Sequence, residues 1–105
     1  MSGLYEDIYR AIGASQGGAA DPQAGSALRL IKLQEEVGEV AQAYIGCRGA
    51  NKRKGYTHTR EDVARELCDV VITAMVALHD WTADPEEFLE DQVARIAERC
   101  RTEGS

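Results

Sequence analysis

Between Leu30 and Tyr44, apolar residues recur every three or four positions: Leu30, Leu33, Val37, Val40, Ala41 and Tyr44. Val63, Leu67, Val70, Val71, Ala74 and Leu78 repeat the pattern thirty residues later. That period belongs to a helix with one buried face. No segment alternates apolar and polar residues as a half-buried strand does. Two long amphipathic helices need a surface against which to bury their stripes, so the chain is expected to be all-α and to fold as a helical bundle.

The punctuation between the stripes fits that reading. A short first helix is expected over Leu4 to Ile12, where Leu4, Ile8 and Ile12 recur every fourth residue. Residues 13–26, rich in glycine and broken by Pro22, read as a flexible loop before a helix running from about Ser26 to Cys47. A second break, Gly49 to Thr59, carries two glycines and the basic run Lys52, Arg53, Lys54. Thr59 with Asp62 has the spacing of a capping box, with Asp in place of the usual Glu or Gln. Asp84, Pro85, Glu86 and Glu87 form a strong helix start, and Leu89, Val93, Ile96 and Cys100 supply the last stripe. Residues 101–105 read as a frayed tail. At 105 residues and 11.5 kDa the chain is expected to be one domain, burying roughly 65% of its unfolded surface.

Three cysteines, Cys47, Cys68 and Cys100, are odd in number and lack a CxxC spacing, so neither a disulfide framework nor a zinc motif is expected. No apolar run approaches a membrane span, and the start of the chain has no signal-peptide pattern; a cytoplasmic location is the default expectation. A formal net charge of −6 argues against long nucleic acids as partners.

Much of that negative charge is concentrated. Glu35, Glu36 and Glu39 fall within five positions inside the first long stripe, and Glu66 and Asp69 lie three apart inside the second. Residues three apart on a helix share a face, with β-carbons about 5–6 Å apart. Each acid pair lies roughly 100° from the centre of its apolar stripe, which places the acids along the edge of a helix–helix seam. If the two helices pack antiparallel, four carboxylates converge. Close like charges raise one another's pKa and destabilise the fold unless cations offset them. Oxygen-only ligands suit hard divalent ions, whereas the lack of nearby His or Cys disfavours zinc. A di-iron site of the Glu-x-x-His type is excluded, because Gly55 and Val76 stand three residues before His58 and His79. The alternative is that these acids are ordinary solvated helix faces, in a chain where Glu61 and Asp62 show that acids are common.

"EEVGE" (Glu35 to Glu39) followed by "ELCD" (Glu66 to Asp69) resembles the EExxE…ExxD signature of the MazG-like all-α nucleoside triphosphate pyrophosphohydrolases. The likeness covers about Leu30 to Leu78. It implies a MazG-like bundle of four to five helices, completed by dimerisation, and Mg²⁺ held by Glu36, Glu39, Glu66 and Asp69, with Mn²⁺ as a possible substitute. Glu35 matches the first acid of the signature and would orient a water or act from behind the ligands. The implied reaction cleaves a (d)NTP to (d)NMP and pyrophosphate in nucleotide-pool housekeeping. The implied assembly is a homodimer or homotetramer.

Lys52, Arg53, Lys54 and Arg60, on the segment joining the acid-bearing helices, are candidates to grip the β- and γ-phosphates; Lys54 and Arg60 are the favoured pair. A solvated loop is the competing reading. Tyr56 is a candidate base-stacking residue, and His58 reads as a loop hydrogen-bonder. The family's basic residues on the following helix are matched here only by arginines, of which Arg95 is the candidate. Trp81 and Phe88 read as core or subunit-interface residues. Two rival functions stand beside the first: phosphoribosyl-ATP pyrophosphohydrolase, which shares the helical acid motifs, and a non-catalytic helical regulator that binds nucleotide or protein.

Overall fold

The computed structural model describes residues 2–10 and 22–104. Among the described residues there are four α-helices and no strand: α1 (Ser2–Ile8), α2 (Pro22–Arg48), α3 (Arg60–Leu78) and α4 (Pro85–Glu103). The fold is all-α, as the periodicity required.

Helix α2 begins at Pro22, four residues earlier than the Ser26 start expected, so residues 22–26 are helix rather than loop. Proline suits a first turn because its missing N–H is one that a helix start leaves unpaired anyway. Residues 11–21, which include Ile12 and the rest of the expected loop, lie outside the described residues. At its other end α2 closes in a Schellman turn. Ala50 N–H donates to Ile45 O (3.1 Å) and Gly49 N–H to Gly46 O (3.4 Å), with Gly49 at φ +62°.

Thr59 and Asp62 form the expected capping box. Asp62 N–H donates to Thr59 Oγ1 (3.1 Å) and Thr59 N–H to Asp62 Oδ2 (2.9 Å). These bonds to the ionised form hold the Asp62 carboxyl below its ordinary pKa. Thr59→Ala removes the cap from the helix that carries Glu66. It is expected to cost about 1 kcal/mol and to lower the midpoint of a thermal melt by roughly 4–8 °C.

Asp84 caps α4 by accepting from Glu87 N–H (3.1 Å), with Pro85 in the first turn. Residues 101–103, expected to fray, are helical: Arg101 donates to Glu98 Oε1 one turn back (2.6 Å), and Gly104 caps the end.

Helices α2 and α3 make the principal tertiary contact. Among their buried positions are several small ones: Ala43 and Gly46 on α2, Thr73 and Ala77 on α3. Small residues let two helices approach closely. The large residues of the expected inner stripes are not buried there. Leu30, Val37, Tyr44, Leu67 and Val71 each leave about half their surface exposed. Leu33, Val40, Val63, Val70 and Leu78 of the same stripes are half-buried, so only part of each apolar stripe is exposed.

A separate core lies at the far end of α3, where Ile8 of α1 meets Met75 and Val76, flanked by Tyr5, Tyr9, Ile72 and Leu89. Trp81 and Phe88 are 65% and 56% exposed and take no part in it. Arg29, near the start of α2, clamps Asp80, just past α3, with two hydrogen bonds, one of them Nη2 to Oδ1 at 2.9 Å. Little of either side chain is exposed. Hydrogen bonding to Asp80 pushes the Arg29 pKa up. The α2–α3 hairpin is thus fastened at its open end by an ion pair and at its closed end by the loop.

Candidate metal centre and its flanking cavities

Glu36 and Glu39 occupy successive turns of α2, and Glu66 faces them from α3. One carboxylate oxygen from each lies within 4.8 Å of the other two. Glu36 and Glu66 are half-buried, while Glu39 stays exposed. Glu66 Oε2 is wholly buried and accepts no hydrogen bond. Burial and the neighbouring Glu39 charge push the Glu36 pKa up, the Asp69 charge adding to this and Lys32 opposing it. Lys32 Nζ stands 3.7 Å from Glu36 Oε1. Asp69 is close enough to act on Glu36 but is not among the three converging oxygens. Glu35, next to Glu36 in sequence, points to solvent.

A buried carboxylate oxygen with no donor costs about 1–3 kcal/mol. Adding two like charges within 5 Å compounds it. A divalent cation removes both penalties. Oxygen-only donors of this kind, with no His or Cys among them, are the type that hard divalent ions prefer. The donor set therefore fits a hard divalent cation.

Two cavities flank the closed end of the hairpin. One, of about 250 Å³, is bounded by Gln42, Gly46, Asn51, Lys54, Thr57 and His58, among others. Gln42 and Gly46 are three and seven positions after Glu39, hence on the same side of α2. The other, of about 420 Å³, is lined by Tyr44, Cys47, Arg48, Arg60 and Val63. Tyr44 is five positions after Glu39, about 140° around the helix, so this cavity opens on the opposite flank. Lys54 and Arg60, paired by the sequence reading, thus line different cavities. Lys52 and Arg53 are exposed on the loop, Tyr56 lies across Gly49 and is 81% exposed, and Arg95 is exposed on α4. Gln42, Thr57 and Arg48 were not singled out from the sequence; the three-residue spacing from Glu39 could have flagged Gln42.

The chain segment around the small cavity is fixed by its backbone. Thr57 N–H donates to Gly46 O (3.1 Å), and Gly55 N–H to Asn51 O (2.8 Å) with Gly55 at φ +70°. Asn51 Oδ1 accepts from Arg53 N–H (3.1 Å), and Thr57 Oγ1 lies 2.9 Å from His58 Nδ1. Gly46 is where this segment crosses the helix: a β-carbon there would sit 2.2 Å from His58 Nδ1 and 2.3 Å from Thr57 Oγ1.

Residues 6–95 match a family model described as phosphoribosyl-ATP pyrophosphohydrolase. The matched stretch contains all of α2 and α3 and every acid of the cluster. No curated protein and no solved structure matches the chain.

Proposed function

The chain belongs to the phosphoribosyl-ATP pyrophosphohydrolase family, and from that membership we propose that it hydrolyses the α–β phosphoanhydride of a nucleoside triphosphate, releasing a monophosphate and pyrophosphate. The observation that carries this reading is the convergence of Glu36, Glu39 and Glu66, the last of which also has a buried oxygen, Oε2, with no hydrogen-bond partner. A helix pair stabilised only by packing gains nothing from such a cluster; a pyrophosphatase needs it.

Glu36, Glu39 and Glu66 would hold a divalent ion, magnesium by preference and manganese as a substitute, with Asp69 completing the set from α3. Bound there, the ion supplies charge stabilisation for the attacked and leaving oxygens and an acidified water. Glu35, solvent-facing beside the ligands, is placed to accept a proton from water. Lys54 on the acid side of α2, with Lys52 and Arg53 nearby on the loop, offers positive charge to the phosphates. Arg60, Tyr56 and Arg95 remain candidate substrate contacts supplied from other parts of the surface.

Two substrate classes share this chemistry. The α–β bond of an ordinary (d)NTP is the first reading; the family match favours phosphoribosyl-ATP as the second. Pyrophosphate release from a (d)NTP panel and from phosphoribosyl-ATP, each with Mg²⁺, separates them. Binding of these nucleotides with no pyrophosphate release from any would sink the enzymatic reading and favour a regulator.

The same reading includes self-association. The exposed members of the α2 and α3 stripes, Leu30, Val37, Tyr44, Leu67 and Val71, are apolar. A second copy covering them makes a four-helix arrangement from two hairpins. Light scattering on the purified protein is expected to give a dimer or tetramer; a monomer at micromolar concentration would count against it.

A further inference from the structure

We propose that the cavity between Gln42, Gly46, Lys54 and His58 is the subsite for the terminal phosphates of the substrate, with Lys54, His58 and Gln42 as its donors. The inference rests on the pyrophosphohydrolase reading above and assigns the end of the substrate that leaves.

Position is the first support. Gln42 and Gly46 share the side of α2 that carries Glu39, displaced from it by about 4.5 and 10.5 Å at ~1.5 Å per residue. A phosphate chain whose first groups lie at the acid cluster reaches this cavity by continuing along the helix. Charge is the second. The protein carries a net charge of −6, yet no acid lines this cavity, and its one charged group is Lys54. The basic run Lys52–Lys54 adjoins it. The third support is the state of the donors. Thr57 Oγ1 occupies His58 Nδ1 (2.9 Å), leaving Nε2 as the ring's remaining polar atom. Asn51 Oδ1 is engaged by backbone N–H groups, leaving its amide nitrogen. No hydrogen bond ties the Gln42 amide or the Lys54 ammonium among the described residues. These are the donors that an anion requires.

The cavity is also preformed. Gly46 contributes only backbone to its wall, Gly55 turns the chain through a left-handed conformation, and the Thr57–Gly46 hydrogen bond fixes the crossing. At about 250 Å³ it suits one or two phosphate groups better than a whole nucleotide.

Inorganic pyrophosphate and a nucleoside monophosphate, each with Mg²⁺, are the probes, titrated calorimetrically into wild type, Lys54→Ala, His58→Ala and Gln42→Ala. Pyrophosphate is expected to bind roughly tenfold more weakly to each variant, with monophosphate affinity unchanged. Gln42→Ala lies on an exposed helical position and keeps the test valid if His58→Ala unfolds. Pyrophosphate affinity within twofold of wild type in Lys54→Ala and Gln42→Ala would overturn the assignment. So would loss of monophosphate binding instead, which would mark a base pocket. If no nucleotide is hydrolysed but pyrophosphate binding shows the expected pattern, the subsite stands and the enzymatic reading falls.

Discussion

Glu66→Gln is expected to slow pyrophosphate release by about two to three orders of magnitude while leaving the metal-free fold at least as stable as before. The substitution keeps shape and size but replaces a buried, unpartnered oxygen by an amide that can donate to Glu36 or Glu39. One repulsion disappears and one hydrogen bond becomes available, a gain of about 1 kcal/mol. The same change removes a charge from the ion's ligand set, and losing several kcal/mol of charge stabilisation corresponds to a fall of about 10²–10³ in rate. Two measurements decide it: pyrophosphate release, and thermal melts with EDTA or Mg²⁺. Wild type should gain stability with Mg²⁺ by mass action, and Glu66→Gln should not. A lower melting temperature in EDTA would make Glu66 a structural carboxylate and defeat the metal assignment. Asp69→Asn in the same assays shows whether the acid outside the converging trio is a ligand.

Gly46→Ala is expected to disrupt the chain segment that crosses α2, with a loss of activity larger than its loss of stability. The new β-carbon would fall 2.2 Å from His58 Nδ1 and 2.3 Å from Thr57 Oγ1, so both side chains, hydrogen-bonded to each other, must shift. Overpacking of this kind costs about 1–3 kcal/mol, partly offset by the ~1 kcal/mol that alanine gains over glycine within a helix. Net stability should fall by up to about 2 kcal/mol, while Lys54 and His58 move with the displaced segment. Gly38→Ala is the control. It lies on the same helix with nothing within 4 Å of the added carbon, and is expected to raise stability by about 0.5–1 kcal/mol. Equal effects from the two substitutions would show that the crossing has no special role.

These two glycines also show what the sequence could and could not reveal. Both look alike in the string, one helical glycine per motif neighbourhood. The contact that distinguishes them joins Gly46 to residues 57 and 58, and no local pattern encodes a crossing set by tertiary packing. Local chemistry, by contrast, was readable. The Thr59–Asp62 box and the Asp84–Pro85 start are self-contained signals and both are formed. The acids were legible as a group because a three-residue spacing fixes a helix face whatever the partner. Their depth was not. Of the stripes that periodicity assigned to the seam, Leu33, Val40, Val63, Val70 and Leu78 are half-buried, whereas Leu30, Val37, Tyr44, Leu67 and Val71 are exposed and Ala43, Gly46, Thr73 and Ala77 are buried instead. A stripe shows that a face avoids water but not which neighbour covers it.

The Arg29–Asp80 clamp gives the hairpin the mechanics of a beam fixed at both ends. The acids stand in mid-span, seven positions from Arg29 and nine from the turn that begins at Arg48. Repulsion among them cannot open the hairpin like a pair of tongs, because neither end is free to hinge; it can only bow the span by fractions of an ångström. If Glu36, Glu39 and Glu66 hold a divalent ion, as proposed, their carboxylates would already stand together and no opening of the hairpin would be needed. The ion's loading rate is then expected to follow how fast it sheds its own water. Cutting the clamp with Asp80→Ala should turn that dehydration-limited step into a slower, conformationally gated one.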